Sequence, residues 1–437
     1  MSAARGLTYL LNLVSGSGHL RRIHMTKTIV VTLSSLLLVI PSPSFAQGTS
    51  AVPFLLISSS PEGNGMGGTA ASTPSDDALA TISNPGQLGL FSLNSGFNAE
   101  KYSPKTQWLP GFAIAGLTYY SEAANVGANI GELCGLPFSL SSGFGYSHID
   151  FDLGDFVITD ETANILGKFH AFETSDNYSA GLGFEYYLRV GLGWNFKKIR
   201  SVLGPTAKVN ATDFGVLVDA PVIRIVSALT GDDYEILPSL RPLLDISFAD
   251  VTSNVGGSVV YLDPAQGDPL PRTATIGGSI EGGLVYQSAY AERKLVTFSL
   301  IRQADDLLVL RSSSSNYSYQ SGLGDIDFVD NVLLGKTNAN VNIRKGWQVQ
   351  VAEALYVRGG SVEGPGLAYS TSGYSVSARG FIRLIDLWAP PAAQSWIEDA
   401  TKHFDVRYHS STYSSTSSPI AGTTTTAVNL VLDGFSF

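Results

Sequence analysis

The residues that could carry chemistry are few and poorly spaced for it. His403 and His409 stand at an even separation that would put both on one face of a strand. Two imidazoles without a third ligand make polar interface residues rather than a metal centre. Asp150, Asp152 and Asp155 hint at calcium spacing but lack the rest of an EF-hand loop. With Asp160, Glu161, Glu173 and Asp176, against the lone Lys168, they read as a hydrated acidic loop between two strands. Gly335-Lys336-Thr337 copies the end of a phosphate loop, yet Asp330 stands where the first glycine belongs. No Gly-x-Ser-x-Gly elbow seats a serine nucleophile in the exported part of the chain. The single cysteine, Cys134, can form neither an internal disulfide nor a Cys-based zinc site. These residues define no catalytic constellation, no cofactor site and no metal site, and the chain reads as a non-enzyme.

The elements that hold them begin with an address. Met25–Ala46 has Lys27, an apolar core from Ile29 to Ile40, a break at Pro41 and Pro43, and Ser44-Phe45-Ala46 before Gln47. That is the grammar of a cleaved secretory signal peptide. Its core is too short to span a bilayer of about 30 Å as a helix. No cysteine marks the cleavage point, which speaks against a lipid anchor there. Removing the first 46 residues leaves 391, with 23 basic and 37 acidic side chains and a net charge of −14. So acidic a chain is no partner for nucleic acid. Beyond Ala46 no uninterrupted apolar run of about eighteen residues appears, so an exported chain is left with two destinations, aqueous or a membrane barrel.

Composition and period choose between them. Charged residues make up 15% of the chain, low against the roughly 25% of soluble domains. Along residues 180–196 the even positions are Leu182, Phe184, Tyr186, Leu188, Val190, Leu192, Trp194 and Phe196, while the odd ones are mostly glycine, charge and amide. This is a strand pattern with one wholly apolar face, either one long strand or a hairpin turning near Leu188-Arg189. It recurs at 276–287, where Ile276, Ile280 and Leu284 share a face, and at 347–357, where Glu353 is a misfit. It recurs again at 213–219, 296–300 and 404–408. Segments near 93–101, 111–120, 138–149, 241–250 and 374–386 add further strands. Together they predict an all-β, transmembrane antiparallel β-barrel of about 14 strands, apolar outside and small or polar within. Tyr119, Tyr120, Tyr186 and Trp194 are expected near strand ends as interface girdles. The competing architecture is a soluble β-sandwich.

The ends of the barrel carry their own signals. An alternating last strand runs from Val428 towards Phe435 and the terminal Phe437, which resembles a barrel insertion signal. Its alternation slips at Asp433-Gly434, where a bulge would fit. Ahead of the first strand lies a glycine-rich stretch with Gly63, Gly65, Gly67 and Gly68. Thr73-Pro74 with Asp76 predicts a helix to about Ile82, ended by Asn84-Pro85-Gly86. Ser395-Trp-Ile-Glu398 is a capping box for a short loop helix to about Lys402. The expected organisation is residues 1–46 as the signal peptide with upstream residues, 47–92 as an N-terminal plug or hatch, and 93–437 as an outer-membrane barrel.

Pro53-Phe-Leu-Leu-Ile-Ser58, Gly65-Met66-Gly67-Gly68, Asp76-Asp77-Ala78 and Asn84-Pro85-Gly86-Gln87-Leu88 resemble the amino-terminal signature of the PorV (LptO) family. These are type IX secretion outer-membrane proteins, distant relatives of the FadL-like channels. The likeness touches Gly191-Leu-Gly193, Ala211–Gly215 and Tyr356–Gly360. It departs at Glu62-Gly63-Asn64, Ser83 and Gly86. The resemblance implies a FadL-like barrel in the outer membrane that takes exported cargo proteins, through their C-terminal domains, from a type IX translocon to a surface-attachment complex. Its other implication is a FadL-like channel for hydrophobic small molecules, with residues 63–90 as a movable hatch and Leu217 and Val285 lining an apolar pocket. Membrane lipid would be a partner in either case.

Overall fold

The computed structural model describes residues 50–111, 116–232, 234–287, 292–311, 316–365, 367–386, 401–415 and 419–435. The expected signal peptide, the capping box at Ser395–Glu398 and Phe437 lie outside these residues.

Fourteen antiparallel strands form one closed sheet. They are β1 (Gly96–Tyr102), β2 (Thr118–Asn129), β3 (Ser139–Thr159), β4 (Ile165–Glu185), β5 (Arg189–Val202), β6 (Thr206–Pro221) and β7 (Leu240–Gly256). The second half is β8 (Thr273–Gln287), β9 (Glu292–Leu307), β10 (Val341–Val351), β11 (Leu355–Gly364), β12 (Leu367–Ser377), β13 (Phe404–Ser414) and β14 (Thr424–Leu432). Closure is explicit at Phe97, which is opposite Leu432 on one side and Val126 on the other. A sheet without edges leaves no backbone group to be satisfied by lipid, which is why a barrel can cross a bilayer.

Side-chain alternation sorts the two faces. Phe144, Leu182, Trp194, Phe214, Ile280, Leu300 and Trp347 are exposed on the outer wall. Their neighbours Asn177, Asn195, Asp213, Ser279, Gln348 and Arg358 are buried inside. An aqueous monomer would not expose apolar side chains all around a closed wall, whereas hydrocarbon would cover them. The fold is that of an outer-membrane β-barrel.

The 180–196 run takes the hairpin form, with β4 and β5 joined through residues 186–188, and two other expected strands differ in form. The 347–357 run is also a hairpin, and Glu353 is a misfit because it sits at positive φ (55°) in the turn, paired with Arg383 at 3.2 Å. The segment near 374–386 is a strand only to Ser377. There the Ser377 hydroxyl accepts the Gly380 N–H at 3.0 Å and starts a helix, Ala378–Asp386.

Tyr119 corrects the girdle expectation. It is fully buried inside the barrel, among Tyr102, Trp108 and Phe151. Trp194 does face outward, but in mid-strand rather than at an end. The long acidic loop is likewise absent, because β3 and β4 each continue for 21 residues and carry Asp150, Asp152, Asp155, Glu173 and Asp176 on strands, leaving Asp160 and Glu161 in the short turn between them. Asp152 and Asp155 both contact His170, and Lys105 pairs with Asp150 at 3.0 Å.

Candidate functional site: the filled lumen

Before β1 the chain runs down the inside of the barrel. Its helices are short: α1 (Pro61–Gly65), α2 (Ala80–Ser83) and α3 (Gly86–Ser92). The helix expected from Thr73-Pro74 does not form. The Thr73 hydroxyl instead donates back to the Thr69 carbonyl at 3.3 Å, and the Asp76 carboxylate is held by Arg407 at 2.9 Å. Asn84-Pro85-Gly86 separates two helices instead of ending a long one. The Asn84 carboxamide oxygen accepts the Gly86 N–H at 2.8 Å and turns the chain into α3.

Wall and insert are joined by hydrogen bonds around the circumference. Asn125 of β2 donates to the Ala78 carbonyl at 3.1 Å, Ser141 of β3 to Gly89 at 3.0 Å, and Asn195 of β5 to Thr81 at 3.1 Å. Asn84 donates to Val216 of β6 at 3.1 Å, Ser247 of β7 to Ser72 at 2.7 Å, and Tyr413 of β13 to Asn64 at 2.7 Å. Inward polar side chains therefore have a second purpose: they satisfy the irregular backbone of residues 58–95, which would otherwise be costly to bury.

Glycines let the insert approach closely. Helix α3 packs on β4 and β5. A Cβ at Gly181 would stand 2.7 Å from the Gly89 nitrogen, and one at Gly193 would collide with the Pro85 carbonyl. Gly67 and Gly68 turn the chain at φ 74° and 80° against β10, β11 and β12, where the Gly67 N–H reaches Thr371 at 2.9 Å.

The two ends of the lumen differ. At the end away from both termini of the barrel, Phe54, Leu79, Tyr102, Trp108, Tyr119 and Tyr413 share one apolar cluster. Burying Phe54 or Leu79 there stabilises the insert by about 1.5–3 kcal/mol each. At the end where β1 begins and β14 finishes there is instead a cavity of about 450 Å³, bordered by Asp76, Arg189, Asp219, Lys294, Arg383 and Arg407 among others. Its cations are paired: Lys294 with Glu281 at 2.9 Å, Arg379 with Asp433 at 2.7 Å, and Arg407 with Asp76 and Asp405. Deeper in, Arg358 pairs with Glu62 at 3.1 Å and Lys197 with Asp213 at 2.8 Å.

The expected signature residues all lie in the lumen, but against different stretches of the wall. Gly65 lies against Gly373, and Met66 is buried with its carbonyl accepting the Thr69 hydroxyl at 3.0 Å. Asp77 accepts the Leu79 N–H at 2.7 Å and the Ser60 hydroxyl, while Pro85 lies against Gly193. Burial alone would raise the Asp76 carboxyl, but the Arg407 guanidinium overrides this and pulls it down to about 2.

The remaining candidate residues have separate surroundings. Leu217 lines no ligand pocket, being covered by the insert near Gly86. Val285 borders a cavity of about 200 Å³, but with Arg224, Arg241, Asp245 and Glu292 beside it. His403 and His409 do not act together: His409 contacts Ser375 at 2.7 Å inside, whereas His403 contacts the Asp433 carbonyl at 2.8 Å. No bulge absorbs the slip at Asp433-Gly434, since the last strand ends at Leu432. Phe435 then leaves the sheet and stacks on His403. Lys336 is paired with Asp330 at 2.9 Å, and Cys134 is exposed. Among the described residues no three His, Cys, Asp or Glu side chains group as a metal centre.

No protein-family model and no curated protein matches the sequence. Solved structures do. The Pseudomonas putida toluene transporter TodX is similar at a TM-score of 0.39 and 10% identity, over 87% of this chain and 99% of that one. A Pseudomonas aeruginosa FadL homologue is similar at 0.36 and 9%, over 86% and 98%. Acinetobacter baumannii OccAB3 is similar at 0.29 and 7%, over 78% and 98%. The closed-barrel architecture stands on the strand pairing itself.

Proposed function

We propose that this protein is a closed outer-membrane barrel that handles exported proteins at the membrane. In this reading it takes cargo from a type IX translocon, through the cargo's C-terminal domains, and delivers it to a surface-attachment complex. The partners come from the PorV-like signature. The observation that carries the reading is the occupied lumen: residues 50–95 are tied to strands around the whole wall. A barrel filled in this way acts through its surfaces rather than its bore. The apolar space expected for a hydrophobic ligand is taken up by the chain's own Phe54 and Leu79, and the opposite mouth is lined by ion pairs. Both features favour docking over passage of hydrophobic small molecules.

Affinity capture of the tagged full chain from detergent-solubilised outer membranes tests the proposal. The expected result is co-recovery of a translocon barrel together with exported proteins sharing a C-terminal domain. Recovery of neither, with hydrophobic-compound uptake lost on deleting the chain, would overturn it in favour of the channel.

A further inference from the structure

The outward column of β5 changes character at one row. Leu188 in the turn, then Val190, Leu192, Trp194 and Phe196 are apolar, and Lys198 and Arg200 follow on the same face. Residues 188–196 match the length that a tilted strand needs to cross hydrocarbon, about 9–11 residues. Lys198 and Arg200 therefore stand at headgroup level. They lie at the end away from the termini, where the connections 257–272 and 308–340 are long, the exterior side of such barrels.

Lys208 of β6 is directly opposite Arg200, and Lys198 is diagonal to Lys208. All three are exposed on the outer wall. Like charges so placed on neighbouring strands repel, which costs stability unless an anion lies against them. The protein supplies none. Among the described residues these three cations have no ion pair, and Asp176, opposite Lys198, is held by His148 at 2.9 Å and Tyr146 at 2.8 Å. On other strands the outward cations Lys101 and Lys345 pair with Glu122 at 3.6 Å and Glu363 at 2.9 Å. Arg302 donates to the Val332 carbonyl at 3.2 Å.

Aromatic rings of β4 shape the patch. Lys198 lies over the Tyr178 ring at 5.2 Å and Arg200 over the Phe172 ring at 5.1 Å. Ring faces hold the cations along the wall without using up their N–H groups. The charges are thus spread along a rim above an apolar band rather than gathered on one point. That shape fits a layer of lipid, with acyl chains on Trp194, Phe196 and Phe214 and anionic headgroups above them. We propose that the β4–β6 sector of the outer wall is a docking surface for lipid headgroup phosphates, held by Lys198, Arg200 and Lys208. It anchors that side of the barrel at a fixed depth and selects anionic over zwitterionic lipid. The inference rests on the lipid-facing wall and is independent of what the barrel handles.

The test uses the full chain in phosphatidylcholine vesicles, with one lipid at a time brominated in its acyl chains to quench tryptophan. Trp194 lies on this sector and Trp347 on β10, and comparison with Trp194→Phe isolates the first. Phosphatidic acid should be preferred over phosphatidylcholine at Trp194 by about fivefold or more, the factor that one cation near a charged surface supplies. At Trp347 the preference should be clearly weaker, and at Trp194 it should shrink in high salt. Lys198→Gln with Arg200→Gln and Lys208→Gln should bring the Trp194 preference close to none, whereas Lys198→Arg with Lys208→Arg should keep it. Lys208→Gln alone should lower it, and decides the matter if the triple variant does not fold. No preference in the wild-type chain, an equal preference at both tryptophans, or glutamine variants that select as the wild type does would overturn the proposal. So would loss of the preference to soluble glycerol phosphate at the lipid's concentration, which would mark a site for free phosphate.

Discussion

Arg407, near the end of the barrel, and Asp76, in the insert ahead of it, meet at 2.9 Å across 331 residues of sequence. The same guanidinium holds Asp405, which is fully buried. One cation thus serves a wall residue and an insert residue, and couples the seating of the insert to the β13 strand.

The two partners should fail unequally. The Asp76 side chain keeps 40% exposure towards the mouth, so Asp76→Asn is expected to cost only about 1 kcal/mol of insert stability. Arg407→Met strands buried Asp405 and should cost about 3 kcal/mol. Hydrogen exchange of residues 58–80 in detergent reads both, and equal effects would show that the pair does not act as described.

The pH dependence follows in sign. The Asp76 carboxyl lies below its ordinary value of 3.8, at about 2, so its contribution is present in full above 3.8 and fades as pH falls through about 2. Exchange of the insert should therefore be unchanged between pH 7 and about 4.5 on this group's account. In Arg407→Met, where the main cause of the lowering is gone and burial alone raises the group, the dependence should reverse, the insert gaining protection as pH falls through the carboxylate range.

Glycine position matters more than glycine number. Gly193→Ala drives a methyl into the Pro85 carbonyl and should cost about 1–3 kcal/mol, with the insert unseated before the barrel opens. Gly282→Ala, on the outer face with no atom nearer than 3.9 Å, should leave stability unchanged. Thermal shift of the band on unheated gels separates barrel from insert, and matching losses in the two variants would contradict the assignment of faces.

How far the sequence could reveal this is clear from the same residues. Lipid accepts any apolar side chain, so the outer wall needs only period-two alternation, which Leu182, Trp194 and Ile280 supply. Turns were harder, because alternation passes unbroken through Tyr186–Leu188 and fails at Glu353 alone in the second hairpin. The inner face was legible as polar but not as paired. Arg358 and Asp213 sit on the polar side of their strands, yet nothing local names Glu62 or Lys197 as partners. The helix that fails to form after Thr73 has the same origin, since Asp76, the acid of its expected first turn, is claimed by an arginine more than three hundred positions away. Tyr119 looked like a girdle residue because an aromatic ring fits lipid headgroups and an apolar plug equally well.

Ile280, midway along β8 and 53% exposed on the outer wall, tests the lipid-facing assignment. Ile280→Arg should cost about 2–4 kcal/mol of barrel stability in liposomes, while Ile280→Leu should cost nothing measurable. Urea titration of folded protein in lipid vesicles reads the difference. An arginine tolerated there would mean that this face meets water or protein.

Deleting residues 50–92 gives the most direct test of the occupied lumen. The wall left behind would present Lys197, Asp213, Arg344, Arg358 and His409 to the bore, with Arg358 deprived of Glu62 and Arg407 of Asp76. Such a lining attracts water and ions, and a fourteen-stranded ring is only slightly narrower than the porins that hold an aqueous channel. The intact chain should therefore show no steady conductance in planar bilayers, and the deletion should conduct small ions without taking up hydrophobic compounds. Arg358 left without Glu62, and Arg407 left with Asp405 alone, would bias the open bore towards anions, a preference that Arg358→Gln with Arg407→Gln should abolish. If the intact chain conducted like the deletion, the hydrogen bonds between insert and wall could not be closing the lumen. If the deletion admitted hydrophobic compounds, an apolar route through the barrel would exist that the polar inner face does not provide.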